Sequence, residues 1–409
     1  MDATTISRIF EETAYIRTGG SPEERKCAEY IQAECAKFGC NAELEPFEVP
    51  MSTIKTAKLT IDGKEIPCKG YFFAANGTFE APLYFLSDTS PYALSQCTGK
   101  IVLVGGYINY WLYQDLLENG AVGFITCFGH FAYADRDIDQ QELRKYISRG
   151  QLLPGVNINI KDAMELVESG ATTATIELEQ EEYVANSHNV ILDLPGEIPE
   201  YIVLSAHYDS TSLSQGAYDN MSGTIGLLAL AESFATKPHR YGLRFIWCGS
   251  EERGLLGAKN YCATHKDELD NIAMDINLDM IGCIMGGLSA RCTCEAKMVS
   301  YLQYLSFEIG IGCSVSQDIH SSDSTPFADS GVPAVSFARR SAPGTATLHN
   351  RYDTKALLST QNMQEDICFI EHFLDRMANA VCCPVSKQIP DNMKEKLDEY
   401  LLRKRPKTN

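Results

Sequence analysis

The sequence predicts an α/β protein: a three-layer α/β/α domain with a mixed, mostly parallel sheet, interrupted by an inserted β-rich domain. Three observations carry this. From Asn189 onward, short apolar runs alternate with helical segments, the pattern of a parallel sheet covered on both faces. Between about residues 52 and 183 the texture changes to short β-rich runs. The chain has 409 residues, 44% of them hydrophobic, and exceeds the ~250–300 residues at which single cores stop growing. The boundaries read as 1–51 and 184–385 for the α/β domain, 52–183 for the insert, and 386–409 for a charged tail or helix.

The elements follow in order. Ser21 can cap a helix with Pro22 at its first position and Glu24 completing a capping box. Cys27, Tyr30, Ile31, Cys35 and Phe38 continue at helical spacing, and Gly39 ends the run. In the insert, Leu59–Ile61, Pro82–Leu86 and Lys100–Val104 read as strands, and Leu116–Ala121 reads as a helix end feeding the strand Gly123–Thr126. Further on, Tyr201–Ala206 is a buried, parallel-type strand and Met221–Phe234 an apolar helix. Leu243–Cys248 is a strand followed by a helix from about Leu255. Ile272–Leu278 and Val332–Phe337 give two more strands, and Met393–Arg403 a terminal amphipathic helix. The basic run Arg403–Lys407 reads as a solvated end.

Composition excludes several function classes. A net charge of −19 repels a phosphate backbone, so no nucleic-acid partner is expected. No stretch approaches the ~20 apolar residues of a membrane span, and no membrane partner is expected. Met1–Ile6 has neither a cationic nor an apolar signal region, so a cytoplasmic location is expected. The fifteen cysteines are odd in number and contain no CxxC, so they are expected to be reduced, buried small hydrophobes. The sequon at Asn220 adjoins Asp219, where a glycan would block the site proposed next.

Five segments supply the chemistry: His207-Tyr208-Asp209, Asp219-Asn220, Glu251-Glu252, Asp279 and His349. His207, the glutamate pair and Asp279 each fall at or just past a strand end, and Asp219 at the start of the next helix. In open α/β sheets, ligands bind outside the carboxyl ends of strands, so these segments converge on one edge. Histidine nitrogen and carboxylate oxygen are zinc ligands. The reading assigns Asp219 as a carboxylate bridging two Zn²⁺, with His207 and Asp279 completing one site and Glu252 and His349 the other. Asp209, two residues after His207, points the same way on a strand and can fix the imidazole tautomer. Glu251 remains as the general base for a water held by the metals. Alone, an Asp at a helix start is a cap and a Glu-Glu pair is surface charge. The weight lies in the constellation.

At these residues the chain resembles the di-zinc aminopeptidase family of co-catalytic metallopeptidases. The resemblance rests on Ser205–Ser210, Gly216–Gly223, Gly249–Gly257, Asn277–Gly282 and the late His349, and covers about 1–51 and 184–385. It implies a hydrolase removing N-terminal residues from peptides. The insert resembles a protease-associated domain through Gly99–Val104 and Gly120–Ile125, and such domains lie beside active sites and restrict access.

Two departures stand out at the site. Ser324 stands where many relatives have histidine, with Asp323 and Ser322 as supporting candidates. Leu348 stands where some members carry an oxyanion-stabilising tyrosine, with His320 as a substitute donor or a surface loop residue. His130, His188, His239, His265 and His372 fit no ligand role.

The expected function is a metallo-aminopeptidase acting on peptides with a free N-terminus, its catalytic residues being Glu251 and Asp209. The alternatives are a carboxypeptidase or dipeptidase on the same scaffold, favoured if Arg339, Arg340 and Arg351 line the pocket, and a single-zinc glutaminyl cyclase. The oligomeric state and the preferred N-terminal residue stay open.

Overall fold

A computed structural model describes residues 1–405, so Pro406 and Lys407 of the basic run lie outside the described residues. The chain forms two units, Met1–Val49 with Ala185–Asn409, and Pro50–Val184.

The larger unit is built on one sheet. Its strand order is Cys313–Ser316, Gly286–Thr293, Ala334–Ser341, Ile272–Leu278, Tyr201–His207, Gly242–Cys248, and then the end of the long strand Thr173–Leu194. The four strands Ala334–Ser341, Ile272–Leu278, Tyr201–His207 and Gly242–Cys248 pair in parallel. Their carboxyl ends therefore share one edge. The strand Leu243–Trp247 meets Val190–Leu194 antiparallel, and Gly286–Thr293 meets Ala334–Ser341 antiparallel, which makes the sheet mixed.

Alternation along these strands creates the layers. Ile202, Leu204 and Ala206, with Leu243, Phe245 and Trp247, face a core shared with the helices Pro22–Lys37, Ser222–Phe234, Lys297–Ile309 and Thr360–Ala378. The intervening Val203, Ile246 and Cys248 face a second core with Ala258, Tyr261 and Cys262 of the helix Leu256–Thr264 and Phe327 of the helix Ser324–Asp329. Successive side chains point to opposite faces, so one apolar strand supports helices on both sides. The terminal helix Asp391–Tyr400 packs Met393 and Leu397 against Ala328 and Ala334.

In the smaller unit Gly77–Leu86, Ile101–Gly105, Gly123–Phe128 and Gly155–Asn159 pair successively in parallel. Helices Tyr110–Glu118 and Ile160–Ser169 accompany them. Leu59, Ile101, Leu103, Ile125, Val156 and Ile176 anchor a separate core.

All fifteen cysteines are free, most are buried and Cys382 is exposed. Among the described residues no helix is long and apolar enough to cross a membrane. Asn220 is fully buried and its amide donates to Leu278 O, so this sequon cannot accept a glycan in the folded protein.

Candidate metal centre

Each site residue is delivered by a strand end or the turn after it. His207 is the last residue of its strand and Asp279 directly follows Leu278. Glu251 and Glu252 follow the strand ending at Cys248, and His349 comes from the loop after Ala334–Ser341. Asp219 lies in the irregular turn Ala217–Met221, with φ −111° and ψ 89°, before the helix Ser222–Phe234 begins. It is therefore no helix cap. Asn220 organises this turn: its side-chain oxygen accepts from Gly223 N (2.8 Å) and Met280 N (3.0 Å). Gly223 is required for that closeness, since a Cβ there would stand 2.2 Å from Leu278 O and 2.5 Å from Asn220 Oδ1.

The side chains form two triads that share Asp219. His207, Asp219 and Asp279 offer ligand atoms within 4.8 Å of one another, and so do Asp219, Glu252 and His349. His207 Nε2 is 3.1 Å from Asp219 Oδ1 and 3.7 Å from Asp279 Oδ1. His349 Nε2 is 3.1 Å from Asp219 Oδ2 and 3.2 Å from Glu252 Oε2. Glu251 belongs to neither triad, and its Oε2 lies 3.9 Å from His207 Nε2.

This arrangement fits divalent metal. Imidazole lone pairs and carboxylate oxygens at such separations repel unless a proton or cation lies among them. Asp279 Oδ1 is buried with no hydrogen-bond partner, a costly state for a charged oxygen. Burial would lower the basicity of both imidazoles, yet the carboxylates around them, Glu251 foremost at His207 and Glu252 at His349, hold His207 well above its ordinary pKa and push His349 up to about 12. The local field thus favours positive charge at both triads. Burial pushes the Glu251 carboxyl well above the usual range, with His207 opposing and Glu252 adding to the rise. The donor set, two imidazoles and three carboxylates, is that of a nitrogen- and oxygen-ligated zinc site.

Other expected site residues are placed differently. The strand stops at His207, so Asp209 does not share its pleat. Asp209 Oδ1 is 3.4 Å from His207 Nδ1, and its closer partners are Glu251 N (2.9 Å) and Glu252 N (3.2 Å). It is buried between the glutamate turn, which it holds, and the ring of His207. His320 is not a surface loop residue: it is buried, with Nε2 3.5 Å from Asp279 Oδ2. Asp323 is fully buried, and burial pushes its carboxyl up to about 7 against the opposing charge of His207. Ser324 shares a hydrogen bond with Ser336 at 2.7 Å. Arg339 is committed elsewhere, since its guanidinium pairs with buried Asp366 at 2.8 Å.

Asp353 escaped the sequence reading. It accepts from Tyr218 N (2.8 Å), Asp219 N (3.2 Å) and Ser214 Oγ (3.2 Å), fixing the backbone of the shared ligand. Its only sequence signal is an acid four residues after His349.

The chain is similar to known peptidases. The model of peptidase family M28 matches residues 189–368. Aminopeptidase YwaD of Bacillus subtilis (strain 168) is 28% identical over 297 residues, 68% of this chain and 61% of that protein. Leucine aminopeptidase 2 of Arthroderma otae is 35% identical over 124 residues, 30% of this chain and 25% of that protein. The chain thus spans less than two thirds of the length of these relatives. The structure of BSAP, a zinc aminopeptidase from Bacillus subtilis, superposes with a TM-score of 0.75 at 23% identity, over 95% of this chain and 97% of that one. An aminopeptidase from Aneurinibacillus sp. strain AM-1 gives 0.72 at 23% identity, over 94% and 96%. At these identities the superpositions establish the fold. The match to the model of peptidase family M28 lies wholly within the larger unit and contains both triads.

Proposed function

We propose that this protein is a zinc-dependent exopeptidase, an aminopeptidase that hydrolyses the N-terminal residue from peptides. The observation that carries the reading is the pair of triads sharing Asp219 with a free-standing carboxyl, Glu251, beside them. Two Zn²⁺ would be held by His207, Asp219 and Asp279, and by Asp219, Glu252 and His349. When bound, such a metal pair lowers the pKa of water and polarises the scissile carbonyl.

The chain's own residues then divide the work. Glu251 takes the proton of the water that adds to the carbonyl carbon. As the C–N bond breaks, Glu251 returns that proton to the leaving nitrogen. Asp209 holds Glu251 and Glu252 by their amides, and Asp353 holds Asp219. His320, buried beside Asp279, is the histidine available to steady the carbonyl oxygen.

The direction of attack follows from charge. The site is rich in carboxylates, which suit a substrate's terminal ammonium. Of the three arginines near His349 in the chain, Arg339 is paired with Asp366 and so is not free to grip a terminal carboxylate, which weighs against a carboxypeptidase. A single-zinc cyclase needs only one triad. The names of the relatives, aminopeptidase YwaD and leucine aminopeptidase 2, support the same direction. We read the unit Pro50–Val184 as a protease-associated domain. Fifteen free cysteines suit a reducing compartment.

The test is elemental analysis beside mass-spectrometric digestion of a mixed peptide pool. Two zincs per chain with stepwise N-terminal loss support the proposal. One zinc without cleavage favours the cyclase, and C-terminal trimming reverses the direction.

A further inference from the structure

The turn carrying the two glutamates is gripped from both sides. Asp209 accepts the amides of Glu251 and Glu252. On the other side Glu24, from the first turn of the helix Pro22–Lys37, is buried against the same turn. Its Oε1 accepts from Ser250 N (2.7 Å), Ser250 Oγ (3.0 Å) and Ser187 Oγ (2.9 Å), and its Oε2 accepts from Gly20 N (2.6 Å). Three successive amides, those of Ser250, Glu251 and Glu252, thus end on the oxygens of two buried carboxylates.

The turn needs such support. Ser250 has φ 53° and Leu255 φ 62°, a region that a β-carbon disfavours. Space at the contact is reserved as well: a Cβ on Gly249 would meet Ser187 Oγ and His188 O at 2.5 Å and Glu24 Oε1 at 3.0 Å. A capping box would send the Glu24 side chain to the Ser21 amide. That amide donates instead to Thr18 O at 3.0 Å. The carboxylate is spent on the glutamate turn.

We propose that Glu24 is a positioning residue, a buried carboxylate that holds the Ser250–Glu252 turn so that Glu251 and Glu252 face the metal-binding side chains. The roles of those two glutamates rest on the exopeptidase reading. Glu24 itself lies outside residues 189–368, which carry the family match. It accepts four hydrogen bonds and donates none among those described. Its amide isostere keeps one accepting oxygen and turns an NH2 on the donors of the other, so Glu24→Gln keeps the size and sets a donor against either Gly20 N or the Ser250 and Ser187 donors.

The experiment uses full-length Glu24→Gln, with Ser21→Ala as a control that loses only the cap of the same helix. Three quantities are read: hydrogen–deuterium exchange of residues 249–256 in metal-free protein, affinity for added Co²⁺ by absorbance, and steady-state kinetics on an aminoacyl amide. Glu24→Gln is expected to exchange faster in that segment. It should lose about 10–100-fold in cobalt affinity or kcat, with KM within about twofold of wild type.

Ser21→Ala should melt at a lower temperature and leave the other three readouts unchanged. Wild-type exchange, affinity and kcat in folded Glu24→Gln would overturn the inference, and so would equal losses in Ser21→Ala. Should Glu24→Gln not fold, Ser187→Ala removes one donor from the same carboxylate and must shift exchange and affinity in the same direction; no shift overturns the inference. If wild-type protein cleaves no aminoacyl substrate, the exopeptidase reading fails, while exchange and cobalt affinity still decide the role of Glu24.

Discussion

Replacing Glu251 by glutamine separates metal binding from proton transfer. Its carboxyl belongs to neither triad, and its nearest described imidazole atom is 3.9 Å away. The amide isostere therefore leaves the donor sets of both triads intact. It also removes one of two adjacent, partly buried carboxyl groups, whose ionisation burial and the neighbouring Glu252 oppose. The metal-free variant should melt no lower than wild type. A positioned general base contributes about 10²–10⁴-fold, or about 2.7–5.4 kcal/mol of barrier. The expected Glu251→Gln protein binds as much zinc as wild type and loses that factor in kcat, with KM changed far less. The assay is steady-state hydrolysis of an aminoacyl amide, run on protein whose metal content is measured on the same sample. Full metal content with kcat within about threefold of wild type would refute the base assignment.

Further consequences follow from the same geometry. Asp219 is shared, so Asp219→Ala should weaken metal at both triads, whereas His207→Ala or Asp279→Ala should cost one metal and spare the other. Elemental analysis after dialysis separates the cases, and an unchanged content in all three would refute the ligand scheme. Glu34 tests acid stability: burial would raise its pKa, but Arg8 (2.8 and 2.7 Å), Lys37 (2.6 Å) and Tyr30 hold it at about 2, below the ordinary 4.5. Its depressed folded-state pKa means that the stabilisation is full above about pH 4.5 and is lost as pH falls towards 2. Urea unfolding should show wild type more stable than Glu34→Gln at pH 7 and the gap narrowing at pH 3; a constant gap would refute the linkage. Phe369 is fully buried in the main core, so Phe369→Ala should cost ~3–5 kcal/mol in denaturant unfolding.

Local signals mapped strongly onto the fold where they concerned burial. The apolar runs predicted at Tyr201–Ala206, Leu243–Cys248 and Ile272–Leu278 became the strands Tyr201–His207, Gly242–Cys248 and Ile272–Leu278. A run that is apolar on both faces fits only a sheet covered on both sides. The cap at Ser21 was equally local: its hydroxyl accepts from Glu24 N at 3.1 Å. Polar long-range contacts were not legible. Asp209 follows His207 by two residues and lies beside its Nδ1 at 3.4 Å, but the strand ends between them, and spacing gave no sign of its closer contacts with the amides of Glu251 and Glu252. Glu24 looked like half of a capping box because its partners, Ser187 and Ser250, are distant in sequence. His320 looked like a loop residue because burial depends on what packs above it.

The sequence by itself determined the kinds of ligand, their order and the strand ends that carry them, because side-chain chemistry and apolar periodicity are local properties. Only the tertiary structure decided that Asp209 and Glu24 clasp one turn from opposite sides, that Asp353 holds the backbone of Asp219, and that Arg339 is committed to Asp366. Those facts depend on which atoms come within about 3 Å across separate elements, and the spacing along a chain does not encode that distance.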